Sequence, residues 1–112
     1  MKSYTNIIIT TLIALIVLVS CESNKHISVR VIDKVTTEPI DSVFVKINAG
    51  KNGDYDKNYD EGYTDSLGRY ETHMMIGCAF GCYDIYIEYS KEGYITQKNL
   101  NSITGDVLLK PE

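Results

Sequence analysis

The pattern of apolar and polar positions divides the chain in two. From Ile7 to Val19 apolar residues follow one another with only Thr10 and Thr11 among the polar ones, and Lys2 places a positive charge in front of them. After Lys25 the period becomes two. Ile27, Val29 and Val31 alternate with Ser28, Arg30 and Ile32, and Val43, Val45 and Ile47 alternate with Phe44, Lys46 and Asn48. Tyr83, Ile85, Ile87 and Tyr89 alternate with Asp84, Tyr86 and Glu88. Such alternation puts one face of a strand in a core and the other in water. Further strands are expected over 69–76, 95–100 and 105–110, with a short seventh at 62–64. Turn signals at Pro39, Asn52-Gly53, Leu67-Gly68, 77–81 and Glu92-Gly93 separate them. No stretch after residue 25 supports a helix of three turns. The expected fold is all-β, an antiparallel Greek-key sandwich of seven strands.

The opening run is too short for a membrane-spanning helix, which takes roughly 20 apolar residues. It fits the h-region of a secretory signal, about 7–15 residues behind a positive n-region. It ends on Leu18-Val19-Ser20-Cys21, which resembles the lipobox of bacterial lipoproteins. The resemblance implies a diacylglycerol on the Cys21 thiol, cleavage before that residue and acylation of the new amine. A plain secretory signal followed by an unrelated cysteine is the alternative. Acyl chains contribute about 0.8 kcal/mol per buried CH₂, and two or more anchor stably. The expected organisation is a signal peptide over 1–20, a lipidated cysteine with a short tether over 21–25, and a β-domain over 26–112. The expected address is the envelope of a Gram-negative-type bacterium, on the outer membrane, at its periplasmic face or at the cell surface.

Removing residues 1–20 from the 112 takes away one base, Lys2, and no acid, so ten Lys and Arg remain beside fifteen Asp and Glu. The resulting net charge of −5 argues against a nucleic-acid partner, which needs a basic patch. The 92 remaining residues suit one small sandwich.

Several stretches of the β-domain bring a family with them. "VRVIDKVTTEPIDSVFVKI", "YTDSLGRYE", "KEGYITQ" and "GDVLLKPE" resemble the carboxypeptidase regulatory-like domain, over about residues 27–111. The resemblance implies a prealbumin-like sandwich and a noncatalytic module, without the zinc ligands that sit in a separate carboxypeptidase domain. Its most specific element runs from Thr64 to Tyr70. There Asp65 and Ser66 are expected to bond nearby backbone, Gly68 to take the positive φ that closes the turn, and Tyr70 to face inward. Pro39 is expected to fix the chain before the second strand, and Gly93 to turn it so that Tyr94 packs back.

Four groups of residues invite chemistry. Asp54, Asp56, Asn58, Asp60 and Asp65 fall at positions 1, 3, 5, 7 and 12 of a calcium-loop spacing. Such a loop needs Gly at position 6 and Glu at 12, where Tyr59 and Asp65 stand instead. The segment 51–65 therefore reads as a solvated acidic loop, with weak calcium candidates. Tyr55, Tyr59 and Tyr63 in that loop, and Tyr86, offer rings for sugars or a protein partner. His26 sits at the tether and His73 inside an expected strand, which argues against a shared metal site and favours solvent-facing or core histidines. Cys78 and Cys82 flank "GCAFGC" in an oxidising compartment, where a disulfide at a hairpin tip is favoured over free thiols or redox exchange. In that hairpin Ile76 is expected opposite Ile85, with a bulge near Gly81. No constellation here is a catalytic signature, so neither an enzyme nor a cofactor is expected. The expected function is a membrane-anchored, noncatalytic binding or structural module of the envelope, partnered by the membrane and an envelope protein. The alternative is a calcium- or glycan-binding module using 51–65.

Overall fold

A computed structural model describes residues 7–10, 22–79 and 81–112. Cys21 and most of the h-region lie outside the described residues, and no helix among those described is long and apolar enough to cross a membrane. The alternating stretches form seven strands: β1 (Glu22–Asp33), β2 (Phe44–Lys51), β3 (Asp54–Tyr63), β4 (Arg69–Gly77), β5 (Asp84–Ser90), β6 (Gln97–Leu100) and β7 (Thr104–Leu109). They make two sheets, ordered β4-β1-β7 and β3-β2-β5-β6. The sandwich is the one the alternation predicts.

One pairing departs from the antiparallel expectation. β7 runs parallel to β1, with Ser28–Asp33 against Thr104–Leu109. The chain leaves the four-stranded sheet after β6 and reaches β1 by a crossover, and such a connection permits parallel pairing where a tight hairpin does not.

The two inner faces meet in one core. Ile27, Val29, Val31, Met74, Ile76, Val107 and Leu109 come from the three-stranded sheet. Val45, Ile47, Ala49, Ile85, Ile87 and Tyr89 come from the other. Burying each large aliphatic side chain contributes about 1.5–3 kcal/mol. Tyr89 is fully buried and its hydroxyl has no hydrogen-bond partner among the described residues, and burial pushes its ionisation upward.

Three segments differ from their sequence reading. The first is the acidic stretch, which is strand rather than loop. Asn52 (φ 57°) and Gly53 (φ 84°) form a two-residue turn, and β3 pairs with β2 from Lys51↔Asp54 to Phe44↔Tyr63. The short strand expected at 62–64 is only the end of it. β3 escapes the alternation rule because it lies at the sheet edge, where its inward positions are Asn58, Asp60 and Gly62. Thr72 Oγ1 on β4 donates to Asp60 Oδ2 at 2.6 Å, which ties the two sheets along this side. Gly62 leaves room for Tyr70, because a Cβ there would lie 2.4 Å from the Tyr70 ring. An inward charge on an edge strand also discourages pairing with another chain.

The second segment is "GCAFGC". β4 and β5 belong to different sheets, so the segment is a crossover and not a hairpin tip, and Ile76 does not pair with Ile85. Both strands bury an apolar face in the shared core from opposite sides, which a hairpin between them does not allow. The Cys78–Cys82 disulfide is present nonetheless. Its Cα atoms are 3.8 Å apart, closer than the roughly 4.4–6.8 Å expected. The Tyr83 amide closes the loop on the Gly77 carbonyl at 3.0 Å.

The third segment is the tether. Glu22 to Lys25 are already strand, in register with Gly77 back to Met74. The first sheet begins at the residue after Cys21.

The turn from Thr64 to Tyr70 behaves as the sequence predicts at Asp65 and Gly68, and Tyr70 packs against the core. Asp65 Oδ1 accepts the amides of Leu67 and Arg69, each at 2.9 Å. Gly68 has φ 73°, and a Cβ there would lie 2.5 Å from the Val31 carbonyl oxygen. Thr64 Oγ1 accepts the Val43 amide at 2.9 Å and donates to the Ile40 carbonyl at 2.8 Å, which locks the turn under the core.

Candidate functional site

The outer face of the four-stranded sheet carries the densest chemistry among the described residues. Register arranges it in three rows across the strands. Tyr63 sits opposite Phe44, with their rings 5.4 Å apart. Next come Glu61, Lys46, Glu88 and Lys98, a row of alternating charge. The third row is Tyr59, Asn48, Tyr86 and Leu100. A polar row thus lies between two aromatic ones.

A half-open cleft of about 420 Å³ sits on this face, lined by Lys46, Asn48, Tyr55, Asp56, Tyr86, Glu88 and Lys98. Tyr55 and Tyr86 meet edge to face at 4.7 Å, and the Lys98 ammonium stands 5.8 Å from the centre of the Tyr86 ring. Contact with Tyr86 holds the Tyr55 phenol above its usual ionisation range. The Tyr59 hydroxyl donates to Glu61, and that bond pushes the Tyr59 phenol up to about 12. Tyr59 is 51% exposed and Tyr63 66%. The rings are therefore neutral hydrogen-bonding groups on apolar bodies, available to a partner.

The calcium-spacing residues do not form a loop around a common centre. Along a strand, alternate residues lie roughly 6.7 Å apart, which spreads Asp54, Asp56, Asn58 and Asp60 out. Asp54 accepts the Asp56 amide at 3.2 Å and pairs with Lys57 at 3.3 Å, both of which lower its carboxyl pKa. Asp56 lines the cleft, Asn58 and Asp60 turn inward, and Asp65 caps the 64–70 turn. Among the described residues no three His, Cys, Asp or Glu side chains converge in metal-binding geometry.

The structure brings together two residues that sequence distance kept apart. His26 and His73 are direct cross-strand partners on the outer face of β1 and β4. Their rings stack at 4.4 Å and 9°. The signal was present in the alternation, since both belong to strands with one face outward, but the pairing of β1 with β4 is not written in either strand.

At the opposite end of the sandwich Tyr94 packs back as expected. Its hydroxyl donates to Asp33 Oδ2 at 2.8 Å, while Asp33 Oδ1 accepts the amides of Val35 (2.8 Å) and Thr36 (3.0 Å). These bonds, those to Thr36 foremost, hold the Asp33 carboxyl below the usual carboxylate range.

Comparison with known proteins bears on the scaffold. No protein-family profile and no curated sequence matches the chain. Solved structures do. The C-terminal domain of the shaft pilin SpaA from Lactobacillus rhamnosus GG superposes with a TM-score of 0.53 at 12% identity, covering 80% of this chain and 99% of that domain. A 3-chlorocatechol 1,2-dioxygenase from Rhodococcus opacus gives 0.54 at 14% identity, over 69% of this chain and 42% of the dioxygenase. The likeness is one of fold alone. This chain is a β-sandwich of the kind found as domains in both.

Proposed function

We propose that this chain is a membrane-anchored, noncatalytic lipoprotein of the bacterial cell envelope, a carboxypeptidase regulatory-like sandwich that binds a partner. The observation that carries the reading is the outer face of the four-stranded sheet. There exposed Tyr59 and Tyr63 flank a row of alternating charge beside a cleft. Most sheet faces that meet only water are polar throughout; large rings left exposed in a row suit contact.

The anchor rests on the h-region and on Leu18-Val19-Ser20-Cys21. With Cys21 acylated, a first strand starting at Glu22 leaves almost no slack. The end of the sandwich that carries the 77–83 loop, level with Glu22 through the Glu22↔Gly77 pair, then faces the bilayer of the outer membrane. Replacing Cys21 with Ser tests this directly: fatty-acid labelling and processing of the precursor are both lost. Equal labelling of the two proteins refutes the anchor.

The cleft favours one class of partner, a glycan. Tyr86 and Tyr55 stand at right angles, so a sugar ring can stack on one and abut the other, while Asn48, Asp56, Glu88 and the two lysines reach its hydroxyls. Calcium is the weaker half of this reading, because the strand disperses the acidic side chains. Titrating the protein with soluble envelope oligosaccharides, followed by tyrosine fluorescence, tests the glycan. Tyr86→Ala is expected to weaken binding at least about tenfold, the loss of about 1.4 kcal/mol typical of a truncated aromatic anchor. Unchanged affinity in that variant moves the binding surface elsewhere.

A further inference from the structure

We propose that His26 and His73 form a transition-metal site on the outer face of the three-stranded sheet, with Cu(II) as its tightest ion. The two residues are in direct register, and directly opposed Cβ atoms in an antiparallel pair lie only about 4.5–5.5 Å apart. Their rings are already parallel and 4.4 Å apart. An ion bound by two imidazoles at about 2.0–2.1 Å each needs the nitrogens roughly 3 Å apart. Parallel stacked rings point their nitrogen lone pairs side by side, so both rings turn substantially about their broad last torsions, and His26 shifts its bond to Glu71, before the two nitrogens converge on one ion. The pair is accessible, since the His26 side chain is 48% exposed.

The surroundings suit a borderline metal and not calcium. Glu71, two residues before His73 on the same face, already bonds His26 Nε2, and a carboxylate on an imidazole orients it as a ligand. Met75 lies in the next row, opposite Asn24, and is half exposed. Imidazole nitrogen suits copper, nickel and zinc alike, and Cu(II) binds such sites most tightly among the divalent ions. The other charged groups of this face lie two rows away, Arg30, Arg69 and Asp106 beyond Ser28 and Glu22 beyond Asn24. Because no third His, Cys, Asp or Glu donor converges among the described residues, water completes the shell. The site is therefore an open one of moderate affinity, exchanging its ion with the medium beside the membrane to which Cys21 would tie it.

The test is a calorimetric titration of the full chain with CuCl₂, then NiCl₂ and ZnCl₂, and an EPR spectrum of the Cu(II) form. The expected result is one Cu(II) per chain with Kd on the order of 10 µM, with Ni(II) and Zn(II) weaker. The EPR spectrum is expected to show coupling to two imidazole nitrogens. His26→Gln and His73→Gln each weaken Cu(II) at least about tenfold, and the double variant is little worse than either, since residues that share one ion are not additive. Glu71→Gln costs about tenfold as well. Asp54→Asn with Asp56→Asn leaves the affinity unchanged, which sets the site apart from the acidic strand. All these side chains are exposed, and a melting curve on each variant checks that the fold is kept. Kd above about 1 mM, two equivalents per chain, or additive losses from the two histidines overturn the proposal.

Discussion

The two outer faces of this sandwich grow from one core and carry opposite chemistry. The four-stranded face presents rings: Phe44, Tyr55, Tyr59, Tyr63 and Tyr86, with charges set between them. The three-stranded face presents Asn24, His26, Ser28 and Arg30 on β1, with Arg69, Glu71, His73 and Met75 on β4. It carries no outward tyrosine. Away from edge strand β3 the inward residues are mostly aliphatic in both sheets, with Met74 on one side and Tyr89 on the other. The difference teaches where function is written. The core needs volume and apolarity, and many sequences satisfy it. Only outward positions are free to differ, so the two candidate sites lie there.

If the faces are independent tenants of one scaffold, damage to the scaffold should remove both. Gly68→Ala makes the strongest test. It puts a Cβ 2.5 Å from the Val31 carbonyl at φ 73°, where a left-handed backbone alone costs about 1–2 kcal/mol. With the clash added, a loss of about 3 kcal/mol in chemical denaturation is expected. Oligosaccharide and Cu(II) binding should fall together wherever the variant is partly unfolded.

The Cys78–Cys82 crosslink joins the ends of β4 and β5, one strand from each sheet, and should matter to both faces modestly. A closed loop of five residues confers about 2 kcal/mol in the chain-entropy view. Cys78→Ala with Cys82→Ala should lower the free energy of unfolding by that much and leave both binding constants intact. A change in one face alone would show that the crosslink positions that face and does not merely staple the fold.

Much of this scaffold was legible from the sequence, and the failures have physical causes. β1, β2, β4 and β5 bury one face each, so period two found them. The 64–70 turn was legible because Asp65 and Gly68 have roles set by local backbone. β3 was not read as a strand, although Asn52-Gly53 is a strong hairpin signal. An edge strand has inward positions that barely enter the core, so Asn58, Asp60 and Gly62 hid its period. The hairpin assigned to "GCAFGC" carried its own warning. It needs a bulge near Gly81 to bring Ile76 opposite Ile85, because a symmetric hairpin there sends the two apolar rows to opposite faces. The conflict instead meant that β4 and β5 belong to different sheets. The His26–His73 pair was illegible for a related reason: it depends on which strands pair, a non-local fact no single strand encodes.

The ends of the sandwich offer a smaller test, since Asp33 and Tyr94 lie far from both faces. Asp33 has its carboxyl pKa lowered in the folded protein, so its bonds stabilise above the ordinary carboxylate value and are lost as pH falls through the lowered one. Below about pH 4 the melting temperatures of wild type and Asp33→Asn should therefore converge, having differed at about pH 6. Neither binding constant, measured at neutral pH, should respond to the variant. A parallel offset at every pH would mean that the carboxylate's charge contributes nothing there.

The smallest effect separates the faces by spectroscopy alone. Among the described residues the exposed tyrosines, Tyr59 and Tyr63, both lie on the four-stranded sheet, so changes in the exposed part of an alkaline absorbance titration report that face. Tyr59 should ionise near 12 because its hydroxyl donates to Glu61. Its neutral form is the one the fold favours, so this contribution holds below the ordinary tyrosine value of about 10 and is lost as pH rises through the raised one. Glu61→Gln keeps an acceptor but removes the negative charge, and should move one phenol of the titration back toward about 10. An unchanged curve would mean that Tyr59 is raised by its surroundings and not by Glu61. The Tyr59–Glu61 bond would then have no part in keeping that ring neutral and oriented for a partner.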